Sequence, residues 1–272
     1  MRMPVLVQLL LWCVGIYGAL CLVVLLFQRR LMYFPDQYGE PEAVSMARQH
    51  GLEPWRDGQG RLRGWRRAGA AGVPCVVVFH GNAATALERD YYLPLLGGRE
   101  LILIEYPGYG PRPGVPSESA LVADAVDALA HLEQEGRAPI LLLGESLGSG
   151  VAVQAAAQVP HAVAGLLLVT PVARMSEVAA KHYPYLPVRL LLRERWDNAS
   201  AIRTFTGPVA ILVAGRDEVV GAEQGRRLAA SNARSKVWEQ PEAGHNTLDF
   251  TPGATPWTEM LAYLQSGGVL PR

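Results

Sequence analysis

The pentapeptide GESLG at positions 144–148 joins a strand-like apolar run to a stretch of small residues typical of a helix. Its form, G-x-S-x-G, is the pattern that holds a serine nucleophile on a sharp strand-to-helix turn. The pattern alone has little weight, because glycine supplies 28 of the 272 residues. Its context gives it weight, since Ile140–Leu143 precedes it and Val151–Ala157 follows it. We therefore predict that Ser146 is a nucleophile.

A serine hydroxyl needs a base to take its proton and an acid to orient that base. In sheets that carry this turn, the chain order is serine, then aspartate or glutamate, then histidine. His245 lies in the loop sequence PEAGHNTL, after a strand-like run near the predicted end of the sheet. Asp217 is the first carboxylate after the apolar run VAILVA and its turn glycine. We predict a triad of Ser146, Asp217 and His245, with Glu218 and Asp249 as weaker alternatives for the acid.

Acyl transfer also needs N–H donors for the oxyanion of the tetrahedral intermediate. The backbone N–H of Leu147, directly after the nucleophile, is the first expected donor. The second is expected from the loop FHGNAAT after the apolar run 75–79, where the backbone N–H of Asn82 is the best candidate. His80 and Gly81 are expected to shape this loop, although an ordinary strand-to-helix turn would use a glycine in the same way.

Three glycines flank the predicted nucleophile, namely Gly144, Gly148 and Gly150. A nucleophile on so tight a turn has strained backbone angles, and glycines let the neighbouring backbone pack closely around it. The helix that follows would point its dipole and its free N–H groups at the site, which favours a developing oxyanion.

Continuous apolar runs of strand length recur along the chain, at Cys75–Phe79, Leu101–Ile104, Ile140–Leu143, Gly165–Val169 and Val209–Val213. Because these runs do not alternate with polar residues, we expect strands buried on both faces, as in a parallel sheet. Helical patterns lie between them, as at residues 118–134, with Ser117 as N-cap and Gly136 beyond the end. The earlier stretch WRDGQGRLRGWRRAG predicts a hairpin. The expected fold class is α/β, a mostly parallel doubly wound sheet in one domain over residues 28–272.

Residues 172–207 lie between two predicted strands and form a stretch longer than an ordinary crossover. The sequence KHYPYLPVRLLLRERW within it mixes prolines, aromatics and leucines. We predict a short lid over the C-terminal edge of the sheet, where ligands of open α/β sheets bind. The alternative is a crossover helix with an elaborated loop.

The apolar run at residues 5–27 contains no charged residue. A helix of that length would reach about 34 Å, enough to cross the hydrocarbon core of a bilayer. Arg29 and Arg30 follow it, and the aromatic group in LMYFP lies where an interfacial belt would be. A cleaved signal peptide and a buried helix are the alternatives, but the run is long and no A-x-A-like site precedes the arginines. We predict an uncleaved transmembrane anchor, whose orientation the balance with Arg2 leaves open.

The composition excludes several classes of protein. Basic and acidic residues are equal in number, 25 each, so nucleic acid is not an expected partner. Cys13, Cys21 and Cys75 are too few and too scattered for a disulfide framework or a metal site, and we expect them to be small buried apolar side chains. The sequence has neither zinc-ligand spacing nor a glycine-rich phosphate loop, so no metal and no cofactor is predicted.

Four separated stretches fall in order along the chain: FHGNAAT; EYPGYG followed by PGVPSE; GESLGSGVA; and AGRDEVV with AGHNT. Together with the anchor ending QRRLMYFP, they resemble the membrane-anchored α/β-hydrolase-domain proteins of the bud-emergence (Bem) type. The resemblance implies an α/β-hydrolase fold, the triad Ser146, Asp217 and His245, and no metal or organic cofactor. Some eukaryotic relatives look like protein depalmitoylases but carry a cysteine-rich N-terminus in place of a span, so that activity does not carry over.

The sequence thus predicts a membrane-anchored serine hydrolase that cleaves carboxylic esters or thioesters through an acyl-enzyme. The expected partners are the lipid bilayer and a small-molecule, lipid or acylated-protein ester. A peptidase or amidase with the same triad is the near alternative, and an inactive membrane-tethered binding or scaffold protein is the distant one. The 23 arginines against two lysines suggest a GC-rich genome and hence a bacterial inner membrane.

Overall fold

The computed structural model describes residues 3–70 and 73–267. Arg2, which entered the charge balance of the anchor, lies outside the described residues, as do residues 268–272 at the end of the predicted hydrolase domain.

Helices and strands alternate through most of the described chain. The helices are α1 (Val5–Met32), α2 (Glu40–Gln49), α3 (Tyr92–Leu95), α4 (Glu118–Gln134), α5 (Leu147–Gln158), α6 (Met175–His182), α7 (Val188–Leu191), α8 (Asn198–Ala201), α9 (Ala222–Ala230) and α10 (Thr255–Ser266). The strands are β1 (Phe34–Pro35), β2 (Glu53–Arg56), β3 (Leu62–Arg67), β4 (Val76–Phe79), β5 (Ala83–Ala84), β6 (Leu101–Ile104), β7 (Ile140–Glu145), β8 (Val163–Val169), β9 (Val209–Ala214) and β10 (Ser235–Gln240).

One sheet of eight strands has the order β10-β9-β8-β7-β4-β6-β3-β2. Neighbours from β10 to β6 are parallel, whereas β3 runs antiparallel to both β6 and β2. The predicted hairpin is therefore the antiparallel β2–β3 pair at one edge of the sheet. The predicted α/β class is confirmed, and each of the five apolar runs overlaps a strand of the sheet, because continuous apolar runs are those that a parallel sheet buries on both faces.

Alternate residues of the central strands enter two separate hydrophobic clusters, one on each face of the sheet. On one face Val77 and Phe79 of β4 pack with α4 and α5, and on the other Val76 and Val78 pack with α2 and α10. Ser117 caps α4 as predicted, because its hydroxyl accepts a hydrogen bond from the N–H of Ala120 at 3.1 Å. This layering fixes the carboxyl ends of the strands, where the predicted site residues lie.

The N-terminal helix α1 continues past the uncharged run to Met32 and is exposed along most of its length. Its apolar window has a mean hydropathy of 2.6, and by length and composition the helix could cross a membrane. The expectation for the cysteines holds for Cys75, which is buried, and is wrong for Cys13, which is exposed. An all-apolar helix has more apolar surface than one neighbouring element can cover, so side chains such as Cys13 stay on its open face.

Residues 172–207, which we call the lid segment, contain α6, α7 and α8. Side chains of α6 and α7 lie beside α1 and over the carboxyl end of the sheet, where they line the same cavity as Ser146. The segment returns to the sheet through a short 3-10 turn at Ile202–Thr204.

Candidate active site

Ser146 lies on a strained turn between β7 and α5. Its backbone has φ 51° and ψ −117°, a conformation in the left-handed region that costs free energy for any residue with a Cβ. The turn is fixed from behind by the Ser146 N–H, which donates to the carbonyl of Val169 at 2.9 Å. Such strain persists only where the surrounding structure overdetermines it, and it tends to occur at functional sites.

The flanking glycines are required by close approach of backbone. A Cβ built on Gly148 would lie 2.1 Å from the carbonyl oxygen of Phe79, and one on Gly144 would lie 2.6 Å from Gly148 O. Gly150 faces the ring of Trp196, with 2.6 Å to the nearest ring atom from a built Cβ. At these three positions a side chain would displace a neighbouring group, and with glycine the turn can lie directly against the end of β4.

The three predicted triad residues come together in one hydrogen-bonded line. His245, in the loop between β10 and α10, has its Nε2 3.1 Å from the Oγ of Ser146. Its Nδ1 lies 2.8 Å from Oδ2 of Asp217, which follows β9. An ionised carboxylate only accepts hydrogen bonds, so Nδ1 carries the proton and Nε2 is free to accept from the serine hydroxyl.

Asp217 is held ionised by its surroundings. Burial alone would raise its pKa, but the hydrogen bond from His245, the charge of that ring and backbone N–H groups outweigh burial and lower the pKa below its ordinary value. Val219 and Val220 donate backbone N–H bonds to Oδ1 at 2.9 and 2.8 Å. Oδ2 is thereby left for the imidazole, and the carboxylate orients the ring without needing a further partner.

The two weaker candidates for the acid lie elsewhere. Glu218 is exposed, and its carboxylate accepts a hydrogen bond from the backbone N–H of His245 at 3.5 Å. Asp249 is exposed and accepts a hydrogen bond from the N–H of Thr251 at 2.8 Å.

The other histidines have partners away from the serine. His50, His131 and His161 pair with surface carboxylates, and Nε2 of His182 lies 2.7 Å from the carbonyl oxygen of Val219. His80 is buried, with its Nδ1 2.8 Å from the carbonyl of Gly81. The selection of His245 by chain order therefore agrees with the geometry.

The predicted oxyanion donors, Leu147 and Asn82, line the same cavity as Ser146. The N–H of Leu147 is in the first turn of α5, where helical N–H groups have no intrahelical acceptor. Asn82 is fixed by Tyr109, whose hydroxyl donates to its carbonyl at 2.8 Å, and by its own side-chain amide, which donates to the carbonyl of Met32. The position of this loop is thus tied to the end of α1.

His80 and Gly81 lie in the loop that carries Asn82. The His80 ring stacks on Tyr106 at 4.0 Å between centroids, and the Tyr106 hydroxyl donates to the His80 carbonyl at 2.9 Å. A Cβ on Gly81 would lie 3.4 Å from Oε1 of Glu145, which is an ordinary van der Waals contact.

Two acidic side chains escaped the sequence analysis. Glu145, next to the nucleophile, accepts hydrogen bonds from the hydroxyls of Tyr91 and Tyr92 and pairs with Arg89 at 3.2 Å. Its place inside the G-x-S-x-G motif was the available signal. Glu194 of the lid segment, described below, carried no such signal because its partners are far away in sequence.

A cavity of about 390 Å³ opens above Ser146. Apart from Asn82, Ser146, Gln28 and His182, its walls are mostly apolar and come from α1, from α6 and α7, and from the loop at Val219–Val220. Deep, apolar cavities with a few polar groups at one point are the usual form of a ligand site. Here Ser146 is one of these polar groups.

Comparisons with known proteins agree with the fold. A sequence model described as the alpha/beta hydrolase family matches residues 76–210. An uncharacterized protein of Mycobacterium tuberculosis is 36% identical over 254 residues, covering 89% of each chain. The lysophosphatidylserine lipase ABHD12 of Danio rerio is 27% identical and covers 84% of this chain and 73% of its own.

One further protein and one solved structure are similar to this chain. Protein bem46 of Schizosaccharomyces pombe is 27% identical over 186 residues, covering 64% of this chain and 62% of its own. Among solved structures, an esterase of Pyrococcus furiosus superposes with a TM-score of 0.62 at 15% identity, covering 86% of this chain and 97% of its own. The chain therefore belongs to the α/β-hydrolase family, in the Bem46-like group that also holds bem46 and ABHD12.

Proposed function

We propose that this protein is a membrane-anchored serine hydrolase that cleaves carboxylic esters or thioesters of long apolar acyl groups through an acyl-enzyme. Hydrolase chemistry follows from the family, and the finer claims rest on one observation. The hydrogen-bonded line from Asp217 through His245 ends on Ser146 at the floor of an apolar cavity. A nucleophile with its base and acid in place and an apolar space above it is suited to acyl transfer.

In the proposed reaction Ser146 Oγ attacks the acyl carbonyl while His245 Nε2 takes the hydroxyl proton. Asp217 keeps the ring in the tautomer that can accept this proton and stabilises the imidazolium that forms. The imidazolium then protonates the leaving alcohol or thiol, which leaves the acyl group on Oγ. A water molecule, deprotonated by the same nitrogen, cleaves this ester and returns the proton to the serine.

The backbone N–H groups of Leu147 and Asn82 are the proposed oxyanion donors. Both belong to residues that line the cavity beside Ser146, and the N–H of Leu147 lies at the positive end of a helix. Donors held rigidly at the place where charge develops stabilise the transition state more than water would. The close packing at Gly148 and the Tyr109 bond to Asn82 provide that rigidity.

The chemistry of the cavity supports an acyl substrate. Its walls are mostly apolar, and no carboxylate is among its lining residues in the described chain, so it offers no anion to the free amine of an aminopeptidase substrate. Two similar proteins carry matching names: ABHD12 is a lysophosphatidylserine lipase, and a Paleococcus ferrophilus protein with a TM-score of 0.55 is a monoacylglycerol lipase. Both names describe esters with one acyl chain.

The test is a comparison of p-nitrophenyl esters of increasing chain length with amino-acid amides, in purified full-length protein. We expect kcat/KM to rise with chain length up to the capacity of the cavity, and amides to be poor substrates. Faster cleavage of amides than of esters would favour the peptidase alternative. Folded protein that neither turns over an ester nor reacts with a fluorophosphonate would favour the scaffold alternative.

We also propose that α1 is the membrane anchor, in a bacterial inner membrane. The helix has the length and the hydropathy for a span, and its exposed apolar sides have no other cover in the described chain. Extraction of membranes with alkaline carbonate should leave the protein in the pellet. Its release as a soluble mature form would refute the anchor.

A further inference from the structure

The cavity above Ser146 reaches into the apolar part of α1. Its lining includes Val24, one turn before Gln28 and within the uncharged run that ends at Phe27. A residue of the proposed membrane span and the nucleophile therefore share one cavity. The position of the lid segment relative to the bilayer therefore affects how a substrate can reach the serine.

The lid segment is fastened to α1 at two levels. Near the C-terminal end of α1, the Gln28 side chain donates to the carbonyl of Leu191 at 3.1 Å and accepts from the N–H of Arg193 at 2.7 Å. Glu194, three residues after Leu191, is 2% exposed and accepts a hydrogen bond from Arg29 at 2.7 Å. These contacts hold the C-terminal part of α7 against the helix.

The second level lies deep in the apolar run. The Tyr17 hydroxyl donates to the carbonyl of Tyr185 at 2.7 Å. Tyr17 and Gln28 are about 16 Å apart along a helix axis at about 1.5 Å per residue. The lid segment thus runs beside α1 for about half of the thickness of a hydrocarbon core of about 30 Å.

The length of α1 then decides the depth of the lid segment. If the bilayer began only beyond the lid, the crossing would fall to residues 5–16, which reach about 18 Å. That is too short for a core of about 30 Å. A spanning α1 has to place part of residues 17–27 in the membrane, and the lid segment that contacts them goes with it.

The outer surface of the lid segment has the chemistry for this position. Tyr185 and Leu190 are 88% and 86% exposed, and Tyr183 is 57% exposed. Clustered exposed apolar side chains mark interaction surfaces, and tyrosines favour the membrane interface. Arg189, beside Leu190, is exposed and long enough to extend its charge toward headgroups.

We infer that the lid segment is embedded in one leaflet alongside α1, and that the cavity above Ser146 receives its acyl chain directly from that leaflet. The inference rests on the proposed function and on the proposed anchor. The partner of the lid surface is the hydrocarbon and interface of the bilayer. In this arrangement α1 acts both as an anchor and as a wall of the substrate site.

Depth-dependent fluorescence quenching tests the insertion. Full-length protein with Cys13→Ser and Cys21→Ser receives one labelling site, Leu190→Cys, Leu22→Cys or Gln59→Cys, and is modified with an NBD fluorophore. Cys75 can remain, because burial raises the pKa of its thiol to about 12 and it reacts slowly. The labelled proteins are reconstituted in phosphatidylcholine vesicles that contain lipids brominated on the acyl chains.

The exposed Leu22 on α1 is the bilayer reference, and Gln59 in the turn between β2 and β3 is the aqueous reference. We expect the label at position 190 to be quenched as strongly as the label at position 22, with position 59 unaffected. Quenching at position 22 but not at position 190 would overturn the insertion of the lid. Absence of quenching at both positions would overturn the anchor and the inference together.

An activity measurement keeps this inference distinct from the proposed function. The double variant Tyr185→Glu, Leu190→Glu changes side chains that do not line the cavity, with Gln59→Glu as the charge control. We expect hydrolysis of a long-chain monoacylglycerol held in vesicles to fall by about tenfold, because charges there oppose insertion. Hydrolysis of water-soluble p-nitrophenyl acetate should stay within about twofold, since the triad is untouched.

Equal losses on both substrates would contradict a role of this surface in the membrane. Failure of the unmodified enzyme on both the monoacylglycerol and p-nitrophenyl esters of every chain length would instead refute the proposed esterase activity, and the quenching result would still decide the position of the lid segment.

Discussion

Asp217→Asn replaces one carboxylate oxygen by an amide nitrogen and keeps the shape of the side chain. Oδ1 would stay oriented toward the N–H groups of Val219 and Val220, which it accepts at 2.9 and 2.8 Å. The new amide nitrogen would then face Nδ1 of His245 as a donor. The ring would have to accept there and carry its proton on Nε2, the nitrogen that should take the proton of Ser146.

The magnitude follows from the charge that is lost. Asp217 is 8% exposed, so its carboxylate interacts with the imidazolium with little screening by water. At an effective dielectric constant of about 20 and a charge separation of about 4 Å, this interaction is worth about 4 kcal/mol, or about 10³-fold in rate. With the wrong tautomer added, we expect kcat/KM to fall by about 10³ to 10⁴-fold.

The assay is hydrolysis of p-nitrophenyl butyrate by protein of matched secondary structure and unfolding midpoint. Glu218→Gln is the matched control, because it neutralises the neighbouring exposed carboxylate, and it should stay within about threefold of the parent. Retention of activity within about tenfold by Asp217→Asn would refute the proposed role of this acid. So would a larger loss in the Glu218 variant.

The remaining predictions concern the turn at Gly148, the pH dependence of stability through Asp217, and the lid segment. Gly148→Ala would place a Cβ 2.1 Å from the carbonyl oxygen of Phe79, so we expect a loss of stability of about 1–3 kcal/mol by denaturant unfolding, and an unchanged midpoint would contradict the close approach. The pKa of Asp217 is lowered in the folded state, so its contribution to stability is present above the ordinary pKa of an aspartate and is lost as the pH falls through the lowered value. Acid titration should therefore bring the unfolding free energies of the parent and of Asp217→Asn closer together. A constant difference down to the lowest pH would refute this linkage. Glu194→Ala removes the acceptor of the buried Tyr33 hydroxyl, which donates to Glu194 at 2.7 Å. We expect the free energy of unfolding to fall by about 2–4 kcal/mol and tryptic cleavage of the lid segment to become faster. Cleavage at the parent rate would show that this contact does not hold the lid segment in place.

The strands could be predicted because their signal is local. A run such as Leu101–Ile104 is apolar at every position, and only a strand buried on both faces needs that pattern at that length. The bounds were less certain, as at β7, which continues to Glu145 beyond the predicted end at Leu143. The last two residues of this strand are the glycine and the glutamate of the motif, which a search for apolar runs does not include.

The proximity of the candidate site residues could be predicted because their order along the chain indicates which of them lie close together in space. Ser146, Asp217 and His245 are up to 99 positions apart, and no periodicity connects them. The carboxyl ends of parallel strands meet at one edge of the sheet, so residues that follow different strands become neighbours. The sequence order of nucleophile, acid and base was therefore enough to select them among several carboxylates and six histidines.

The joining of the anchor and the lid could not be predicted. Gln28 meets Leu191 across 163 positions, through one side-chain amide near the end of a mostly apolar helix. Hydropathy identifies such a helix as a span, but it gives no information on which face packs against the rest of the chain. The wall that α1 contributes to the cavity is for the same reason visible only in three dimensions.

The central claim is that Ser146 is the nucleophile of an acyl-transfer site. The most direct measurement is reaction of the folded full-length protein with a fluorophosphonate, followed by mass spectrometry of its peptides. We expect one stoichiometric adduct on the peptide that contains Ser146, and no adduct in Ser146→Ala of equal stability. An adduct on a different serine, undiminished labelling of Ser146→Ala, or an unreactive folded parent protein would contradict the claim.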